Sequence, residues 1–131
     1  MIGIDTNILL RLWLNDDPGQ NKRIDSLLAE HGRAPGSLLV TDVVLVEAIW
    51  TLRSAFGQDK PAQLMAVRSL LGETAFAFDD REAVTEALSL FESGSCGFAD
   101  CLVVAKHARR GCDFTATFDR GMRKLPSVKV L

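Results

Sequence analysis

Four carboxylates in this chain are flanked by apolar residues in segments that otherwise read as core: Asp5 behind "MIGI", Glu47 inside "VVLVEAIW", Asp100 inside "GFADCLVV" and Asp119 behind "TATF". Acidic side chains are almost never fully buried without a partner, yet no Lys or Arg stands within five residues of Glu47 on either side. Each acid alone reads equally well as the polar edge of an amphipathic helix. Taken together they are expected to converge. At ~4 Å and an effective dielectric near 20, each like-charged pair then costs on the order of 4 kcal/mol. That competes with the ~5 to 15 kcal/mol that holds a domain together, so such a cluster takes up protons or binds cations.

Oxygen-only donors suit hard ions, Mg2+ or Mn2+, which keep several waters and also hold phosphate oxygens. Ions of this kind lower the pKa of a water, aim it at phosphorus and neutralise the charge that builds on the leaving oxygen. The chemistry indicated is phosphodiester hydrolysis. Thr6 and Asn7, directly behind Asp5, are expected to orient its carboxylate or bind phosphate, and the hydroxyl of Thr117 stands in a similar place relative to Asp119. Thr6 and Asn7 serve equally well as a helix cap.

Positioning these groups falls to short strands alternating with helices. Residues 1–5 read as a strand, "TNILLRLWL" as a helix with Ile8, Leu9, Leu12 and Trp13 at helical spacing, and Asp16 to Gly19 as an interruption. A helix is expected from about Asn21 to Glu30, a strand at "SLLVT", and a helix capped by Asp42 that runs to Gly57. Pro61 fits the first turn of a helix closing on Gly72, and "TAFAF" reads as a strand. Asp79 and Glu82 look like a cap and its partner for a helix ending near Gly94. "FADCLVVAKHARRG" reads as a helix stopped by Gly111, and "FTATF" and "VKVL" as closing strands. This alternation predicts an α/β sandwich with a central, mainly parallel sheet. Ligand crevices in such folds lie beyond the carboxyl ends of the strands, where Asp5 and Asp119 fall.

The totals agree with one domain over residues 1–131. A 47% hydrophobic content is enough for a real core. No apolar run reaches the roughly 20 residues of a membrane span, and Asp5 falls where a leader peptide would be apolar. Cys96, Cys101 and Cys112 form no CxxC pair and fit the reduced thiols of a cytoplasmic protein, buried as small apolar groups. With His107 they match no common zinc spacing. The net charge of −2 excludes a bulk nucleic-acid binder, although six of the fifteen Lys and Arg residues fall between Lys106 and Lys124.

The blocks "IDTN", Glu47 in an apolar helix start, "FADCLVVAKHARRG" and "TFDRGMRK" occur in order along essentially the whole chain. Together they resemble the PIN domain, specifically the VapC-like toxins of type II toxin–antitoxin pairs. The resemblance implies a three-layer α/β/α sandwich and a metal-dependent endoribonuclease that uses Mg2+ or Mn2+. It implies that Asp5, Glu47, Asp100 and Asp119 form the acidic, metal-holding site, with Thr6, Asn7 and Thr117 supporting the carboxylates. It also implies a homodimer and inhibition by a small antitoxin protein. Gly97 departs from the pattern, standing where many relatives carry a further acid. Arg120, Arg123 and Lys124 beside Asp119, and Arg11 behind Asp5, are then the residues expected to hold RNA phosphates or stack on unpaired bases. Trp13, at helical spacing with Leu9 and Leu12, reads as core or dimer interface.

Two other readings compete. A Mg2+-binding receiver-type signalling domain also gathers acids at strand ends, but it needs a phosphate-accepting Asp on a central strand with a nearby Lys, and the late Lys residues here are Lys124 and Lys129. A non-catalytic RNA-binding PIN-like module is disfavoured by the presence of all four acids.

Overall fold

The structure is a computed structural model that describes all 131 residues. Backbone contacts divide the chain into two compact units, Met1–Asp79 and Asp80–Leu131. Both have parallel strands joined through helical segments, the signature of the α/β class.

The first unit opens with β1 (Ile2–Gly3), α1 (Thr6–Leu14), α2 (Pro18–His31) and β2 (Leu38–Val40). It continues through α3 (Asp42–Ser54) and α4 (Lys60–Leu71) to β3 (Phe76–Phe78). The strands pair in the order β1-β2-β3, with Ile2 opposite Leu38 and Leu38 opposite Phe76. Leu9, Leu38, Val40, Leu45 and Val67 are fully buried, so β2 and the inward stripes of α1, α3 and α4 form this unit's core. Trp13 is half-buried, its indole N–H donating to Ser69 Oγ of α4 at 3.3 Å.

The second unit pairs α5 (Arg81–Ser93) with α6 (Phe98–Arg109), then carries β4 (Thr115–Thr117), a single 3-10 turn at Arg120–Lys124 and β5 (Val128–Val130). β4 and β5 are parallel, with Thr115 opposite Val128. Small residues let the helices approach closely: Ala83 and Ala87 on α5 and Cys101 and Ala105 on α6 are all buried. The rings of Phe91 and Phe98 meet edge to face, their centres 6.0 Å apart. Gly111 ends α6 with φ +83°, a conformation other residues rarely adopt.

Local expectations fail in four places. α2 begins at Pro18 rather than Asn21, because Asp17 Oδ1 accepts the Gln20 N–H at 3.0 Å and proline has no N–H to waste in a first turn. Thr41, not Asp42, precedes α3, and the Asp42 N–H is satisfied from a distance by Asp79 Oδ2 at 2.7 Å. Asp80, not Asp79, therefore caps α5, accepting from the Ala83 N–H at 3.1 Å. α3 also stops at Ser54, short of Gly57.

Candidate active site

In the first unit, Asp5 lies just beyond β1 and caps α1, its Oδ1 accepting the Thr6 N–H at 2.8 Å. Extended backbone at Asp5 (φ −88°, ψ 164°) turns the chain from strand into helix, which fixes the carboxylate at the strand's carboxyl end. Thr6 is 6% exposed, and its Oγ1 is buried without a hydrogen-bond partner. An orphaned hydroxyl costs about 1–3 kcal/mol, so a group able to bond it beside Asp5 stabilises the site. Asn7 is exposed on the same turn.

Glu47 sits on α3, which packs against α1. Its side chain is exposed rather than buried, because the buried stripe of α3 runs through Leu45, Ala48, Ile49 and Leu52. Arg11 is half-buried. Its guanidinium is paired with Asp16 and lies 5.9 Å from the centre of the Phe56 ring.

The second unit brings two acids within electrostatic reach of each other. Asp100 stands in the first turn of α6 and is half-buried. Burial raises its pKa above the ordinary 3.8, and the neighbouring charge of Asp119 raises it further. Asp119 follows β4 and opens the 3-10 turn, Oδ1 accepting the Gly121 N–H at 2.8 Å while its own N–H donates to Thr117 Oγ1 at 3.0 Å. Thr117 thus holds the backbone of Asp119, and Gly121 aims its carboxylate. The Cys96 thiol donates to the Gly121 carbonyl at 3.1 Å. Burial, then the charges of Asp100 and Asp119, push that thiol's pKa up from 9.0, so it remains a donor at neutral pH. Arg120, Arg123 and Lys124 are exposed on the turn. Of the six basic residues between Lys106 and Lys124, Arg109 is paired with Asp80 and Glu82.

None of the four acids is fully buried, and neither unit by itself gathers three or more His, Cys, Asp or Glu groups placed to hold a metal ion. The donor chemistry nevertheless fits a hard divalent cation. In the second unit the desolvated carboxyl of Asp100, repelled by the carboxylate of Asp119, is relieved by positive charge. The cysteines are not uniformly buried as expected: Cys101 is buried, Cys96 half-buried and Cys112 exposed. His107 bonds Thr115 through Nδ1 at 2.8 Å, tying α6 to β4.

A family model for the PIN domain matches residues 2–128. The chain belongs to the PIN domain family. Membership carries the three-layer α/β/α architecture that alternating strands and helices predict. The chain is similar to a VapC ribonuclease of Aquifex aeolicus (strain VF5), with 23% identity over 122 residues that cover 93% of this chain and 90% of that protein. It also resembles the crystal structure of Mycobacterium tuberculosis VapC20, a sarcin-ricin loop cleaving toxin, at 16% identity and a TM-score of 0.44, covering 94% of this chain and 92% of that one.

Around Asp119 of this PIN domain, three further residues matter. Sequence alone marks Cys96 only as packing and leaves Gly121 without a signal, because the contact between them spans 25 residues. Phe118 carried a visible signal, because alternation along β4 buries Thr115, exposes Ala116 and turns Phe118 outward.

Proposed function

We propose that the protein is a metal-dependent endoribonuclease, the toxin of a type II toxin–antitoxin pair, acting as one PIN domain across both units. Asp5, Glu47, Asp100 and Asp119 are its proposed acidic residues, and Mg2+ or Mn2+ its proposed cofactor. The carrying observation is the like-charged pair Asp100 and Asp119, with Asp100 raised in pKa by burial and by its neighbour, in a chain matched to the PIN family from residue 2 to 128. The similarity to a VapC ribonuclease supports the ribonuclease role. An RNA substrate, a small antitoxin protein and a homodimer follow as proposed partners. No helix is long and apolar enough to cross a membrane.

When bound, a divalent cation supplies Lewis acidity, lowers the pKa of a water and neutralises charge on the leaving oxygen. The chain's own groups prepare for this. The Thr6 N–H holds the Asp5 carboxylate and the Gly121 N–H holds that of Asp119, so neither has to be reoriented during reaction. Arg120, Arg123 and Lys124, each free of ion pairs, are proposed to hold flanking phosphates, and Arg11 to do so at the expense of its pair with Asp16.

The test is cleavage of a mixed structured-RNA pool by protein freed of any bound inhibitor, in Mg2+ or Mn2+ against EDTA, with Asp5→Asn and Asp100→Asn beside wild type. Metal-dependent cutting lost in both variants is the expected result. A folded, inhibitor-free and metal-supplied wild type that cuts nothing in the pool would count against the reading.

A further inference from the structure

Phe118 is the most exposed aromatic ring of the chain, at 82%, and stands between Thr117 and Asp119. A single exposed phenylalanine is ordinary on a protein surface, and it is the setting of this one, between the two residues of a candidate site, that marks it. The other exposed aromatic of this strand region, Phe114, already has a partner: Lys129 Nζ lies 5.3 Å from the centre of its ring. Phe118 has no ring contact and no cation over its face.

Its chain neighbours identify what covers it. Arg120, Arg123 and Lys124 follow within six residues, all exposed and unpaired, and Asp119 is the one acid among them. An apolar ring followed by three cations suits a partner that is anionic along its backbone and flat and apolar on its faces. Single-stranded RNA meets both requirements: phosphates engage the cations while an unpaired base stacks on the ring. An acidic peptide meets only the first, and a second copy meeting this face through the same face would set two positive turns against each other.

We propose that Phe118 is the stacking platform for an unpaired base next to the scissile phosphate, so that the enzyme selects single-stranded or looped RNA. This deepens the ribonuclease reading and rests on it. The backbone that carries Phe118 is held next to it, because the carboxylate and N–H of Asp119 are bonded by Gly121 and Thr117. The platform therefore presents its base beside Asp119. Since any base has a π-face, stacking here selects for an unpaired state rather than for a particular letter.

The test measures binding in a cleavage-silent Asp5→Asn background, using a fluorescent mixed-sequence single-stranded RNA, the same length as a duplex, and the single strand with abasic sites. Phe118→Ala and Phe118→Leu are expected to weaken single-strand binding by about five- to 150-fold. Phe118→Trp is expected to retain it and to show fluorescence quenching on RNA addition beyond that of Trp13 and Trp50. The Phe118→Ala loss should be the same at low and high salt, whereas Arg123→Ala should flatten the salt dependence. Equal binding by all variants overturns the platform while leaving the nuclease intact. A Leu variant that binds as well as wild type overturns stacking as the mechanism. Unchanged RNA binding with loss of self-association assigns the ring to a second copy, and also overturns it. Should the Asp5→Asn protein bind no RNA and wild type cut none, the ribonuclease reading itself fails.

Discussion

The Cys96 thiol reaches across 25 residues of sequence to donate to the Gly121 carbonyl at 3.1 Å. Gly121 in turn donates its N–H to the Asp119 carboxylate at 2.8 Å, so one peptide links the thiol to the acid. Replacing Cys96 by Ala removes the donor and lets the turn drift. RNA cleavage by Cys96→Ala is expected to fall about three- to tenfold, with a stability loss under about 1 kcal/mol. Cys96→Ser, which keeps a hydroxyl donor, should recover most of the activity. If Ser and Ala behave alike in kcat/KM, the thiol only fills space.

Gly121 is needed for a second reason. A Cβ at this position would stand 3.1 Å from Asp119 Oδ1, closer than side chains ordinarily tolerate, while the N–H that aims the same oxygen would still be in place. The carboxylate of a Gly121→Ala variant must shift by a few tenths of an ångström, which lengthens its bond to the donor. Cleavage should drop by roughly tenfold or more, and because residue 121 is exposed the melting temperature should barely move. Kinetics and thermal melts on one preparation decide this, and a parallel loss of both would point to misfolding instead.

Asp80 carries a pH dependence of known sign. The Arg109 guanidinium bonded to it, and then the Ala83 N–H, lower its pKa below 3.8 in the folded state. A depressed carboxyl contributes stability that is present above the unfolded value and lost as pH falls through the folded one. Asp80→Asn keeps a capping oxygen but removes the charge. Its melting temperature should lie below wild type at neutral pH, and the gap should begin to narrow near pH 3.8 and close as the pH falls through the lower folded value. A gap that persists in acid would show that the cap, not the ion pair, matters.

The two aspartate doublets show why helix boundaries were only partly legible. In "DD" at Asp16 and Asp17, the second residue caps α2 while the first is taken by Arg11. In "DD" at Asp79 and Asp80, the second caps α5 while the first satisfies the N–H of Asp42, 37 residues away. Either member of a doublet can cap on local grounds, and the choice is made by a distant partner absent from any sequence window. Local signals that need no distant partner did place three helices: periodicity for α1, Pro61 and Gly72 for α4, and Gly111 as the stop for α6. Of the candidate site, the acids were legible as residue types, and Asp5 and Asp119 as strand ends. The exposure of Glu47 was not, because the segment around it is apolar on every side and hides which stripe of α3 faces inward.

Asp100 is expected to cost the protein stability for the sake of its chemistry. Its pKa is raised by burial and by Asp119, so the charged form is disfavoured in the folded state. The penalty is fully present above the raised pKa and is relieved as pH falls through it, because the folded chain then binds the proton more readily than the unfolded one. In EDTA at neutral pH, Asp100→Asn should therefore melt higher than wild type, with the advantage shrinking in acid. Millimolar Mg2+ or Mn2+ should reverse the order, since an ion that binds only the folded state stabilises wild type through that affinity. Cleavage by the variant should fall by about a hundredfold or more. Melting curves with and without metal test this, and a wild type no more responsive to divalent ions than Asp100→Asn would remove Asp100 from the metal site.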